Sequence, residues 1–177
     1  MSGFDAKAVL NWLVAGEDLD AAATETVIGA LMDGVVDPIV TSALLVALRA
    51  KGETSVEVAS AARAMRQRAV RVPIADPSTA VDTCGTGGDG ADTINISTAA
   101  AVVTAAAGVP VAKHGNRSVS SKCGSADVLE AAGVVLELPP GALGQLVDDV
   151  GIGFLFAPRL HPAMRHVMPV RRTLRVR

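Results

Sequence analysis

Between Val81 and Ser125 the chain concentrates residues with chemistry to offer: VDTCGTGGDGADTINISTAAAVVTAAAGVPVAKHGNRSVSSKCGS. The stretch opens on a turn, Cys84 to Gly90, with four glycines in six residues. Glycine reaches backbone angles closed to other residues and lets a ligand touch the main chain. Consecutive amides in such a turn form an anion-binding nest. Asn95, Ser97 and Thr98 follow, at the start of an Ala/Val helix that runs to Ala107 and stops at Gly108. A helix N-terminus carries unpaired amides and a partial positive charge, and hydroxyls placed there bind phosphate or a hard cation. One polar residue is enough to cap a helix, so three bunched together point beyond capping. The third group is Lys113, His114, Gly115, Asn116, Arg117 and Ser118, then Ser120, Ser121 and Ser125. Lysine and arginine supply charge, the serines supply donors, and Asn116 both donates and accepts. The combination suits a ligand with several phosphates and a sugar. His114 is open to two readings, a structural hydrogen-bonding histidine or a proton-transfer group.

Other chemistries fail on spacing. Gly85, Gly87 and Gly90 match GxGxxG, but a dinucleotide fingerprint needs a helix opening at the turn and an acid about twenty residues on. Here the helix begins near Ser97, and the later region reads Gly-Val-Pro-Val-Ala-Lys from Gly108. No Gly-Lys-Ser/Thr follows the turn, which excludes a Walker A loop. His161 and His166 do not fit a zinc helix of the HExxH type. Cys84 and Cys123 form no CxxC pair and are expected to join no metal-ligand cluster. A reduced cytoplasmic setting is the simple expectation for them.

These groups need strands and helices to hold them. Thr79–Asp82, Val109–Ala112, Val134–Leu138 and Phe154–Ala157 read as short strands, alternating with helices that include Gly141–Val150 and Pro162 to about Leu174. Such alternation argues for a parallel α/β sheet. Both polar loops follow strands, so both belong on the carboxyl edge of the sheet, where ligands of open α/β folds sit. The first seventy residues read differently, as four capped helices. Gly16 ends the first, Asp20 caps the second before Gly34, Asp37-Pro38 opens the third before Gly52, and Thr54 with Glu57 has capping-box spacing. Pro73, Asp76 and Pro77 then break the helical pattern. The expected organisation is a helical domain, 1–72, and a partial α/β domain, 73–177.

Composition is permissive. Half of the 177 residues are apolar and only four are aromatic, so the core must be built from Ala, Val, Leu and Ile. A net charge of −2 gives no general reason to expect nucleic acid or an anionic membrane, although the last nineteen residues hold six arginines. No basic segment precedes an apolar one at the N-terminus, so no signal peptide is expected. Ala99–Val109 is too short to span a bilayer.

GTGGDG, NIST and KHGNRSVSSKCGSADVLE, with LRAKGET and HPAMRHVMPVRRTL, together resemble the anthranilate phosphoribosyltransferases of tryptophan biosynthesis. The pyrimidine nucleoside phosphorylases share a glycine turn and a helical domain, but differ after the second strand. The resemblance implies a nucleoside phosphorylase/phosphoribosyltransferase-like α/β fold, incomplete at the C-terminus, and a homodimer joined through the helical domain. It implies transfer of a phosphoribosyl group from phosphoribosyl pyrophosphate to anthranilate with Mg²⁺, releasing pyrophosphate. Gly85, Gly88, Asp89 and Thr93 would line the phosphoribosyl pyrophosphate site. Asn95, Ser97 and Thr98 would hold its pyrophosphate, with Ser97 also a Mg²⁺ ligand. Lys113 to Ser121 and Ser125 would close over ribose and phosphates, and Asn116, Gly85 and Arg171 would meet anthranilate. No dedicated general base is implied. Family members are about twice as long, and their further half holds an acidic pair for a second Mg²⁺. Arg175 stands where the family usually has Gly. The same features allow a homologue that binds ligand or dimerises without turnover.

Overall fold

A computed structural model of the chain describes residues 5–85, 94–118 and 123–175. They divide into two compact units, one formed by the chain up to Ala69 with the segment from His161 onward, the other by Val70–Leu160.

The first unit contains α1 (Ala6–Val14), α2 (Ala21–Met32), α3 (Pro38–Lys51) and α4 (Ser55–Gln67). Each begins on the side chain that the sequence offers. Asp5, Asp20 and Asp37 accept amide hydrogens of the first turn, and Thr54 and Glu57 form a reciprocal capping box. Gly16, Gly34 and Gly52, at positive φ, follow the first three helices. Val9, Leu13, Val27, Leu31, Leu44 and Leu48 form the buried core. One charged knot ties the connections together. Glu57 is 2 % exposed. Its carboxylate accepts from the Leu19 and Thr54 amides at 3.0 and 2.8 Å and from Lys51 Nζ at 2.9 Å. Lys51 also donates to Asp18 and to the Gly52 carbonyl, which satisfies its three hydrogens. A buried ion pair is tolerable only when its remaining donors and acceptors are satisfied in this way.

The C-terminal segment, assigned by sequence to the α/β domain, packs with these helices. Val167 joins their core, α9 (Met168–Leu174) contacts α3, and a 3-10 turn (Pro162–His166) contacts α2. The single helix expected from Pro162 is therefore two pieces. Proline has no amide hydrogen, so Pro169 sits in the first turn of a restarted helix.

In the second unit β1 (Val111–Gly115) pairs in parallel with β2 (Ile152–Phe156), and Val81 adds a parallel bridge to Val111 on the far side. The strand expected at Thr79–Asp82 is thus reduced to one bridge among the described residues. α5 (Ile96–Ala106), α6 (Ser125–Ala131), α7 (Pro140–Val150) and the one-turn α8 (Ala157–Leu160) complete the unit. α7 lies so close to β2 that a Cβ on Gly153 would stand 2.7 Å from Val147 Cγ2. Val134–Leu138, expected as a strand, is not one. Only Leu136 buries itself, in a cluster with Phe154 and Phe156, while Val135 is 64 % exposed. β-branched residues favour a strand only where a neighbouring strand offers a ladder, and among the described residues none is paired with this run. Among the described residues no helix is long and apolar enough to cross a membrane.

Two of these features bear on stability. Burial alone would raise the Glu57 pKa, but the Thr54 and Leu19 amides and Lys51 outweigh it and hold the carboxyl at about 2, against 4.5 ordinarily. A depressed carboxyl pKa stabilises the fold above the ordinary value and loses that contribution as pH falls toward the folded one. Glu57→Gln should cost on the order of 3 kcal/mol in urea unfolding at pH 7, and the difference from wild type should shrink between pH 4.5 and 2. An equal cost at both ends of that window would show that charge is not the cause. Arg175 is the one non-glycine at positive φ among the described residues, at +54°, just past α9. Arg175→Gly should raise stability by roughly 0.5–1 kcal/mol, because glycine takes this conformation without steric penalty. A melt that moves down instead would show that the arginine side chain holds a contact there.

Candidate functional site

The parallel register Val81–Val111–Ile152 sets the site. Main-chain bonds from Val81 to Pro110 and from Ala112 to Val81, each 2.9 Å, hold the approach to the glycine turn beside β1. The turn after Val81 and the loop after β1 therefore leave the same sheet edge, as the strand order predicts. Thr83 Oγ1 donates to the Ser97 carbonyl at 2.8 Å, which fastens Thr83 to the first residues of α5.

At the α5 N-terminus, Asn95 does the capping. Its Oδ1 accepts from the Thr98 amide at 3.2 Å and from Thr98 Oγ1 at 2.6 Å. The bunched polar residues thus serve the helix end in part, and Thr98 is itself buried. Ser97 Oγ remains half-buried and accepts from Lys113 Nζ at 3.1 Å. Lys113 is 2 % exposed. Burial pushes its pKa down, against the attraction of Asp82 and Cys84. An ammonium, a hydroxyl and a helix N-terminus thus converge, the arrangement that favours an anion. Lys113 and Thr98 also line a pocket of about 280 Å³. Its other walls are apolar, among them Val102, Leu129, Leu146 and Phe154.

The loop after β1 is closed at its base by a residue that sequence reasoning missed. Asp127 Oδ2 accepts from the Ser118 and Gly124 amides at 3.1 and 2.8 Å. Those two amides, with Arg117 beside them, hold its carboxyl below the ordinary range. The signal was present: Asp127 is the third residue of α6, where a carboxylate reaches back over the helix start. α6 itself was not anticipated. Arg117 is committed to this helix. It pairs with Asp127 at 3.1 Å and Glu130 at 2.7 Å, and lies 5.9 Å from the Phe156 ring centroid. Meeting a phosphate would require Arg117 to leave both carboxylates. Ser125 Oγ donates to the Asn116 carbonyl at 3.3 Å. Gly115 has no room for a side chain, since a Cβ there would stand 2.6 Å from the Phe154 ring.

Cys84 corrects an expectation. It does join a cluster of potential metal ligands, with Asp82 and His114. Spacing along the chain missed it because parallel pairing brings His114 beside residues some thirty positions earlier. Asp82 Oδ1 accepts from the Cys84 and His114 amides at 2.9 and 3.2 Å. The Asp82 carboxylate, accepting from the thiol, pushes the Cys84 pKa up, and burial adds to this.

Of the expected site residues, Gly85, Asn95, Ser97, Thr98, Lys113, His114, Gly115, Asn116, Arg117, Ser118 and Ser125 all belong to the second unit. Gly88, Asp89, Thr93, Ser120 and Ser121 lie outside the described residues. Arg171 belongs to α9 of the first unit, half-buried, with Met168 Sδ 4.0 Å from its Nη1.

Comparison with known proteins gives a concordant result. A family model described as glycosyl transferase family, helical bundle domain, matches residues 7–69, and one described as glycosyl transferase family, a/b domain, matches residues 77–177. Anthranilate phosphoribosyltransferase of Symbiobacterium thermophilum is 54 % identical over 171 residues, covering 97 % of this chain and 50 % of the relative. The crystal structure of the Thermus thermophilus enzyme of that name aligns with a TM-score of 0.88 at 50 % identity, covering 96 % of this chain and 51 % of that one. The Saccharomyces cerevisiae protein of that name, solved with PRPP and Mg, shares the fold with a TM-score of 0.86 at 24 % identity, over 98 % of this chain and 53 % of its own. The chain spans about half the length of the curated relatives it matches. Helical bundle and α/β unit alike, the chain belongs to this glycosyl transferase family, and the relatives it matches are anthranilate phosphoribosyltransferases.

Proposed function

We propose that this chain carries the phosphoribosyl-pyrophosphate-binding part of an anthranilate phosphoribosyltransferase, which joins the ribose of phosphoribosyl pyrophosphate to the amine of anthranilate and releases pyrophosphate. The observation that carries the reading is the convergence of the buried Lys113 ammonium, the Ser97 hydroxyl and the α5 N-terminus. Displacement at the anomeric carbon leaves positive charge on the sugar ring and builds negative charge on the departing pyrophosphate. Donors already fixed toward the second charge need no reorganisation during reaction. The aromatic amine is neutral at pH 7, so placement against the sugar matters more than a strong base. No residue is assigned as general base. Asn116, Gly85 and Arg171 are assigned to anthranilate by resemblance, as are Gly88, Asp89, Thr93, Ser120 and Ser121 to the other substrate.

The donor set fits Mg²⁺ in one respect. Ser97 presents a single neutral hydroxyl oxygen beside an ammonium. The ammonium opposes a bare dication, so Mg²⁺ would arrive already held by substrate phosphates, its usual manner of binding. When bound, the ion would neutralise charge on the leaving pyrophosphate. We also propose a cytoplasmic homodimer joined through the helical unit. Trp12 on α1 and Ile39 on α3 support this, exposed to 47 % and 81 %. A second reading is a chain that holds ligand without turnover.

Calorimetry should detect phosphoribosyl pyrophosphate binding that requires Mg²⁺. Losing a charge-assisted bond of about 1.5–3 kcal/mol, Lys113→Met should bind roughly ten- to a hundredfold more weakly, with unchanged circular dichroism. Unaltered affinity in a folded variant would remove Lys113 from the site. Turnover of anthranilate by the purified chain separates the first reading from the second. Light scattering should give twice the chain mass, and Ile39→Glu should return it to one.

A further inference from the structure

We propose that Asp82, Cys84 and His114 form a binding site for a thiophilic divalent cation of the zinc class, separate from the Mg²⁺ assigned to Ser97. One ligand atom from each residue, a carboxylate oxygen, a thiol sulfur and an imidazole nitrogen, lies within 4.8 Å of the other two. Ligands around a tetrahedral zinc ion sit about 3.5 Å apart, a spacing set by metal–ligand distances of roughly 2.0–2.3 Å. The three donors already stand near that spacing.

The backbone prepares it. The Val81–Val111 bridge fixes the register between the two segments. Asp82 Oδ1 is anchored by the Cys84 and His114 amides, so both neighbouring ligands are tied to the carboxylate through their own main chain. Asp82 and Cys84 are exposed, which leaves an entry path. The donor set decides the kind of ion. Mg²⁺ takes oxygen ligands in octahedral geometry, whereas sulfur with imidazole selects zinc and its softer neighbours. Three protein ligands leave the fourth tetrahedral position to water or an anion. Binding replaces the thiol hydrogen by the metal and releases that proton to solvent, so carboxylate and thiolate together balance the dication.

The test needs no phosphoribosyl pyrophosphate, so its outcome is independent of the proposed activity. The purified, reduced chain is titrated with Zn²⁺ against a chromophoric chelator, then with Co²⁺ while the thiolate-to-cobalt absorption band is followed. One equivalent should bind, with the band present and excess Mg²⁺ failing to displace it. Cys84→Ser should abolish the band and weaken Zn²⁺ at least about tenfold, and Asp82→Asn should weaken Zn²⁺ with the band kept. Cys123→Ser, changing the other thiol, should alter neither. A band that survives in folded Cys84→Ser, or Zn²⁺ affinity equal in wild type and that variant, would overturn the site.

Discussion

The parallel register of three short segments is the constraint from which the site follows. Val81 bridges Val111, and Val111 pairs with Ile152. Parallel strands send their carboxyl ends in one direction, so the turn after Val81 and the loop after Gly115 emerge together. Thr83 then bonds to the start of α5, and Asp127 folds the loop onto α6. A one-residue slip would move each side chain of β1 to the opposite face. Lys113 would leave Ser97, and the apolar Ala112 would take its place.

Charge within the unit is held in two ways. Lys113 is buried against a neutral hydroxyl, with its ammonium only partly compensated, and its depressed pKa reflects that. Arg117 is fully compensated by Asp127 and Glu130, and its pKa is pushed upward, with Glu130 the larger cause. An anion therefore gains most at the first position. The second acts as a brace for the loop. The helical unit follows the other strategy throughout. There Glu57 accepts from two main-chain amides and from Lys51, and the buried pair ties two connections together.

Much of this was legible in the chain. The four helices of the first unit start and stop where caps and glycines require, because capping is a contact between residues two or three apart. The glycine turn, the polar start of α5 and the Lys-His-Gly-Asn-Arg run were visible as chemistry, and the parallel layer was visible as alternation. Val134–Leu138 misled because β-branching favours a strand only where a neighbour supplies the ladder, which lies outside the segment. The C-terminal helices show another limit. Their apolar residues, Val167 and Val170, carry no mark of the core they join.

The sequence by itself determined the local elements and the residue types gathered at the sheet edge, since both rest on short-range contacts and side-chain chemistry. Tertiary structure alone decided which of those residues are already spent. It paired Arg117 with Glu130 of α6 and left Lys113 facing Ser97. It also set Cys84 beside Asp82 and His114, a cluster invisible to spacing. The physical reason is common to these cases. A side chain's partners are chosen among groups that strand pairing and helix packing bring within a few ångströms, and those groups lie far apart along the chain.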